Sequence, residues 1–241
     1  MENKVLAVIS YDGSKFYGMQ KQPNKKTIQG EIELALNKLN INSIVQHAGR
    51  TDKGVHALNQ VISFTIPNFW DLNKLQTSLN KIIHPYIHIK KIKFIKNDFN
   101  PRFNAKKRSY RYIISPIFSP HKADYETYYD KKINIELLKK AIKKFEGTYD
   151  FEYFAKTGSE VNNYIRTIYK TDIIEYKNKV ILKIIGNGFL RGQIRIITNF
   201  LLMINENKLT IDDLQKQLNK KQLFTKHLAP PNGLYLERIW Y

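Results

Sequence analysis

Ala48-Gly49-Arg50-Thr51-Asp52-Lys53-Gly54-Val55-His56-Ala57 is the densest string of special residues in this 241-residue chain. Its two glycines, five positions apart, mark a loop in which backbone comes close to backbone. Taken alone, Asp52-Lys53-Gly54 reads more readily as an Asx turn than as a reactive carboxylate. The segments on either side set the frame that holds it. Upstream, Val5 to Tyr11 is a strand closed by the turn-forming Asp12-Gly13-Ser14, and a loop rich in Lys, Gln and Pro follows to Lys26. Thr27 is placed to cap a helix whose Ile28, Ile32, Ala35, Leu36 and Leu39 recur at helical spacing. Downstream, the partly alternating Gln60 to Ile66 is a strand, Asp71 to Asn80 a short helix, and Ile87 to Ile95 a strand alternating apolar residues with lysine.

Outward from there the same grammar repeats. A junction over Asn100 to Asn104 leads into a strand from Arg108 to Ser115, and Pro116 and Pro120 mark the loop after it. Asn134 can cap a helix that buries Leu137, Leu138, Ala141, Ile142 and Phe145, with Lys139, Lys140, Lys143 and Lys144 on its solvated face. Arg166 to Tyr176 and Val180 to Gly186 form a hairpin about residues 177–179. Leu190, Ile194, Ile197 and Leu201 mark a helix, and Leu234 to Trp240 is the last strand. This pattern predicts an α+β protein with a mainly antiparallel sheet flanked by helices, divided into lobes over residues 1–104 and 105–241.

Composition narrows the function. The formal net charge is +19, from 40 Lys and Arg against 21 Asp and Glu, which favours a polyanionic partner. Around Lys106, Lys107, Arg108, Tyr110, Arg111 and Tyr112, cations that pair with phosphates alternate with rings that stack on bases, which points to RNA. The absence of cysteine excludes disulfides, thiol nucleophiles and thiolate metal sites. The six histidines show no spaced ligand set, so no metal is expected. No apolar run is long enough to span a bilayer and the N-terminus is too short for a signal peptide, so a cytoplasmic location is expected.

The Asp52 string resembles the signature of the tRNA pseudouridine synthase A family, Gly-Arg-Thr-Asp-x-Gly-Val-His, in which the aspartate is catalytic. Other family motifs follow in order: Tyr11-Asp12-Gly13 with Gly18 and Gln20, Thr27-Ile28-Gln29, and Phe103-Asn104-Ala105 before Tyr110-Arg111-Tyr112. Gly186-Asn187-Gly188-Phe189-Leu190, Ala229-Pro230 and Gly233-Leu234-Tyr235-Leu236 complete the set. The resemblance implies two related lobes sharing an antiparallel sheet, with the cleft between them. It also implies a homodimer that needs no cofactor and isomerises uridine to pseudouridine at about positions 38 to 40 of the tRNA anticodon stem-loop. Asp52 would be the catalytic carboxylate, Tyr110 the stacking residue and Arg195 the cation paired with the aspartate. From its position two residues before Asp52, Arg50 could fill the gap left by a flipped base, clamp a phosphate or brace the loop, and Arg102 and Arg108 are expected as further RNA contacts.

Departures from the family pattern fall at Met19, where tryptophan is usual, at Tyr149, where histidine commonly precedes Asp150-Phe151, and over Arg191 to Arg195. They bear on packing and RNA choice. Two other readings share the basic, aromatic character. A non-catalytic RNA-binding module would need only the stacking surface. A zinc base deaminase would need cysteine and a His-x-Glu pair, neither of which is present.

Overall fold

The computed structural model of the protein describes residues 2–158 and 163–241, which form two compact units. Of the described residues, the first unit contains 2–106 and 235–241, and the second 107–158 and 163–234. Unit 1 contains β1 (Glu2–Tyr11), α1 (Ile28–Lys38), β2 (Gln46–His47), β3 (His56–Pro67), α2 (Leu72–Ile83) and β4 (Ile87–Phe94). Unit 2 contains β5 (Lys107–Ser115), β6 (Thr127–Tyr128), α3 (Ile135–Lys143), β7 (Gly147–Asp150), β8 (Ile165–Tyr176), β9 (Lys179–Gly186), α4 (Gln193–Asn205) and α5 (Ile211–Leu218). β10 (Leu234–Trp240) ends the chain.

In unit 1, β1 lies antiparallel between β4 and β3, so its residues Val5, Ala7 and Ile9 are buried completely. Ile28, Ile32, Ala35 and Leu36 of α1 join this core with Leu75 and Leu79 of α2. The helix starts are set by side chains taking up orphan backbone donors. Thr27 accepts from the Gly30 N–H at 3.2 Å, and Asp71 from the Lys74 N–H at 2.9 Å. β10 from Tyr235 onward belongs to this unit as well, because Tyr235 and Leu236 run parallel to His56 and Ala57 of β3. Residues 235–241 therefore pack with the first unit, although sequence order places them in the second lobe.

Unit 2 orders its strands β5-β9-β8-β7, with all three pairings antiparallel and the short β6 parallel to β5. The β8–β9 hairpin turns through Lys177 and Asn178, both at positive φ (46° and 63°), as a two-residue loop matching the strand twist requires. Leu138, Ala141, Ile142, Phe145, Phe154, Phe200 and Leu201 are fully buried between the sheet and α3 and α4. Asn134 caps α3 by accepting from the Leu137 N–H at 3.0 Å, as its sequence position predicts. The helix predicted from Leu190 starts later, at Gln193. Gly192 occupies the left-handed region (φ 73°), and the Leu190 N–H is held by Gln193 Oε1 at 2.8 Å. α5 was not anticipated, although Thr210 and Asp213 form a reciprocal capping box at its start. With helices against largely antiparallel strands in each unit, the fold is α+β. Among the described residues no helix is long and apolar enough to cross a membrane.

Candidate active site

Asp52 is half-buried in the loop between β2 and β3. The loop turns where the Val55 N–H donates to the Asp52 carbonyl oxygen at 3.1 Å, with Gly54 at φ 79° in the left-handed position such a turn needs. The turn is thus closed by backbone groups. What fixes its place is the segment after β1. Tyr11 and Thr51 share a buried hydroxyl hydrogen bond at 2.7 Å, and the Met19 N–H donates to the Thr51 carbonyl at 3.1 Å. Gly18, at φ 99°, passes so close that a Cβ there would lie 2.6 Å from the Thr51 carbonyl oxygen. At Gly13 the approach is closer still, 2.0 Å to the Val55 carbonyl oxygen. On the far side, the Gln60 side-chain amide donates to the Gly49 carbonyl at 2.8 Å. The carboxylate is therefore carried on a loop whose backbone is determined from both sides, the condition for holding a reacting group in one orientation.

His56 is part of this brace. Its Nδ1 accepts the Gly13 N–H at 3.1 Å and lies 3.4 Å from Asp12 Oδ1, and its ring stacks on Tyr235 at 4.6 Å between centroids. The family-type Tyr11-Asp12-Gly13 and Val55-His56 motifs are thus two halves of one buttress. Met19 is fully buried beneath the loop, so its departure from tryptophan is a packing change. Two ammonium groups sit over the exposed Tyr17 ring, Lys53 at 4.5 Å and Lys25 at 4.8 Å.

Arg50 and Arg102 are both exposed, and both act on one imidazole. Burial, with these two guanidiniums adding to it, lowers the pKa of His47 from the usual 6.5 to about 4, against a hydrogen bond with the Gly49 backbone. Its Nδ1 is buried without a hydrogen-bond partner. Because the unfolded chain takes up this proton first, the stabilisation is complete above pH 6.5 and is lost as the pH falls from 6.5 towards 4. His47→Gln is therefore expected to make the urea midpoint less pH-dependent than wild type across that window. An unchanged slope would show that this imidazole does not titrate there. Arg102 also lies 5.6 Å from the exposed Phe103 ring, and its N–H donates to Asn100 Oδ1 at 2.9 Å.

Unit 2 carries the other predicted residues. Tyr110, in the middle of β5, is buried and meets the Phe189 ring edge-on at 5.3 Å. Tyr112 follows two positions later on the same face of the strand, its hydroxyl donating to the Pro230 carbonyl at 2.8 Å. Burial pushes the Tyr112 phenol well above its usual pKa, against the Thr127 hydrogen bond and the nearby Arg195 charge. Arg195, two residues into α4, is half-buried, and its Nε donates to the Ala229 carbonyl at 2.6 Å. A cation in the first turn of a helix opposes the macrodipole, so helix stability does not explain this position. Arg191 is exposed and lies ahead of the helix, where its carbonyl accepts the Lys156 N–H at 2.9 Å. Arg108 donates from Nη1 to the Asn187 carbonyl at 2.8 Å, which ties β5 to the Gly186-to-Leu190 motif. Reading the sequence did not single out Phe189 or His47. Phe189 lay inside a quoted motif and could have been found there, whereas His47 carries no local signal.

The α+β units and the braced Gly-Arg-Thr-Asp loop fit the class that the family match shows, pseudouridine synthase, an isomerase. The family model described as tRNA pseudouridine synthase matches residues 7–104 and 141–241, and the chain belongs to that family. Relatives match over almost their whole length. A tRNA pseudouridine synthase A of Campylobacter jejuni (strain 81-176) is 42% identical over 240 residues, covering 99% of each chain. One from Helicobacter pylori (strain 26695) is 41% identical, covering 98% of each, and one from Borrelia hermsii is 39% identical, covering 99% of each.

Proposed function

We propose that this chain isomerises uridine to pseudouridine in the anticodon stem-loop of tRNA, at about positions 38 to 40, with Asp52 as the catalytic carboxylate. The reaction breaks the N1–C1′ bond, turns the uracil, joins C5 to C1′, and passes the C5 hydrogen to solvent as N1 takes up a proton. A single carboxylate serves for this as nucleophile towards the sugar, nucleophile towards the base, or base towards the C2′ proton. All three roles require the ionised form and a fixed orientation. The observation that supports the reading most is the double bracing of the Asp52 loop, by Tyr11, Gly18 and Met19 on one side and Gln60 on the other. A binding module has no need to hold a carboxylate so rigidly.

A uridine in a stem reaches a carboxylate only after leaving the stack, and flipping it costs a few kcal/mol that other contacts must offset. Tyr110 supplies the stacking surface, Arg50 takes the vacated place or a phosphate, and Arg195 is a further substrate-binding cation. Arg102 and Arg108 hold the RNA backbone. The enzyme works as a homodimer in the cytoplasm. The test is tritium release from unmodified tRNA transcribed with uridine labelled at C5. Release with turnover supports the enzyme, and binding of the same tRNA with no release would establish the RNA-binding module instead.

A further inference from the structure

The strand register of unit 2 places one more arginine on the face that carries Tyr110. Arg108 and Tyr110 of β5 pair with Gly186 and Ile184 of β9, and Gly186 pairs in turn with Ile168 of β8. Residues directly opposite one another share a face, and so do residues two apart along a strand. Arg166, two before Ile168, therefore shares the face of Arg108 and Tyr110. Glycine at 186 leaves room above the sheet, where a Cβ would stand 3.0 Å from the Phe189 ring, and Phe189 in turn meets Tyr110. The next residues bring the two arginines together. The point that a Gly188 Cβ would occupy lies 3.7 Å from both Cδ and Nε of Arg166 and 4.0 Å from Nη1 of Arg108. Both side chains are half-buried and oriented by backbone oxygens, Arg108 by Asn187 and Arg166 by Ile165 (2.6 Å) and Asn163 (3.3 Å).

We propose that Arg166 and Arg108 form a two-guanidinium clamp over Gly188 that binds one backbone phosphate beside the nucleotide stacked at Tyr110. The chemistry fits. Guanidiniums present planar forks of donors suited to phosphate oxygens, and a glycine backbone between them lets the anion come close. The inference rests on the proposed RNA substrate, and it adds Arg166 as a substrate-binding residue.

The experiment measures the dissociation constant of the full-length protein for unmodified tRNA over a series of KCl concentrations, together with tritium-release kinetics. Arg166→Gln is expected to weaken binding and raise KM roughly tenfold with kcat within about twofold, and to lower the slope of log K against log salt by about one. Arg166→Lys, which keeps the charge, should restore the slope. Gly188→Asp sets a carboxylate between the two guanidiniums and should reproduce the loss with Arg166 still present, which covers the case in which the Gln variant folds poorly. An unchanged slope in Arg166→Gln, or a defect confined to kcat or to melting temperature, would overturn the clamp. Wild-type protein that binds tRNA yet releases no tritium would instead overturn the enzymatic reading, and the salt slopes would still judge the clamp.

Discussion

Asp52→Ala is expected to reduce pseudouridine formation by roughly four orders of magnitude or more while tRNA binding stays within about threefold of wild type. Removing the only group assigned to the bond-breaking step leaves no substitute, because the chain contains no cysteine and the nearby His56 is engaged by the Gly13 N–H and stacked on Tyr235. Binding survives because phosphate pairing and stacking come from other residues. The measurement is carbodiimide-adduct primer extension on unmodified tRNA, with a filter-binding titration alongside. Wild-type adduct stops from the alanine variant would refute the assignment of Asp52. The substitution should also leave the fold intact, since the loop is held by Thr51, Gly49 and Val55 through their backbones.

Gly18→Ala should cost the next largest share of activity without touching a charged group. Its methyl would sit 2.6 Å from the Thr51 carbonyl oxygen and 3.3 Å from the Asp52 carbonyl carbon, both backbone atoms that no rotamer change can move. The left-handed φ of 99° adds strain of about 1 to 3 kcal/mol for any residue with a side chain. The loop must then shift, and displacement of a reacting group by about 1 Å costs on the order of a hundredfold in rate. The expected result is a kcat lowered about a hundredfold with KM little changed, read from tritium release. Gly158→Ala is the control, because that glycine also has positive φ (74°) but a Cβ there meets nothing within 4 Å. Equal kcat for the Gly18 variant and wild type would show that the brace does not orient Asp52.

Much of this molecule is legible along the chain. The caps at Thr27 and Asn134 and the apolar stripe of α1 predict elements that the structure contains, because each rests on interactions within a few residues. The start of α4 was displaced by three residues, since a glycine at positive φ and a glutamine side chain outweigh the apolar spacing that begins at Leu190. β10 shows the limit of sequence order, because strand pairing is settled by contacts rather than by position in the chain. The site divides in the same way. Asp52, Tyr110 and Arg195 stood out through motifs, whereas Arg166 became visible only when its strand was placed in register with two others.

The sequence by itself determined the chemical inventory: a carboxylate in a glycine-flanked loop, an excess of cations interleaved with aromatics, no thiol, and helices and strands whose residues repeat at the right period. Those are properties of covalent connectivity and of neighbours close in the chain. Only the tertiary structure decided that Gly18 and Gly13 press against the loop more than thirty residues away, that His47 lies under the influence of two guanidiniums, and that two arginines meet over Gly188. Such relations depend on packing at short range between segments distant in sequence, where steric exclusion and charge act through space.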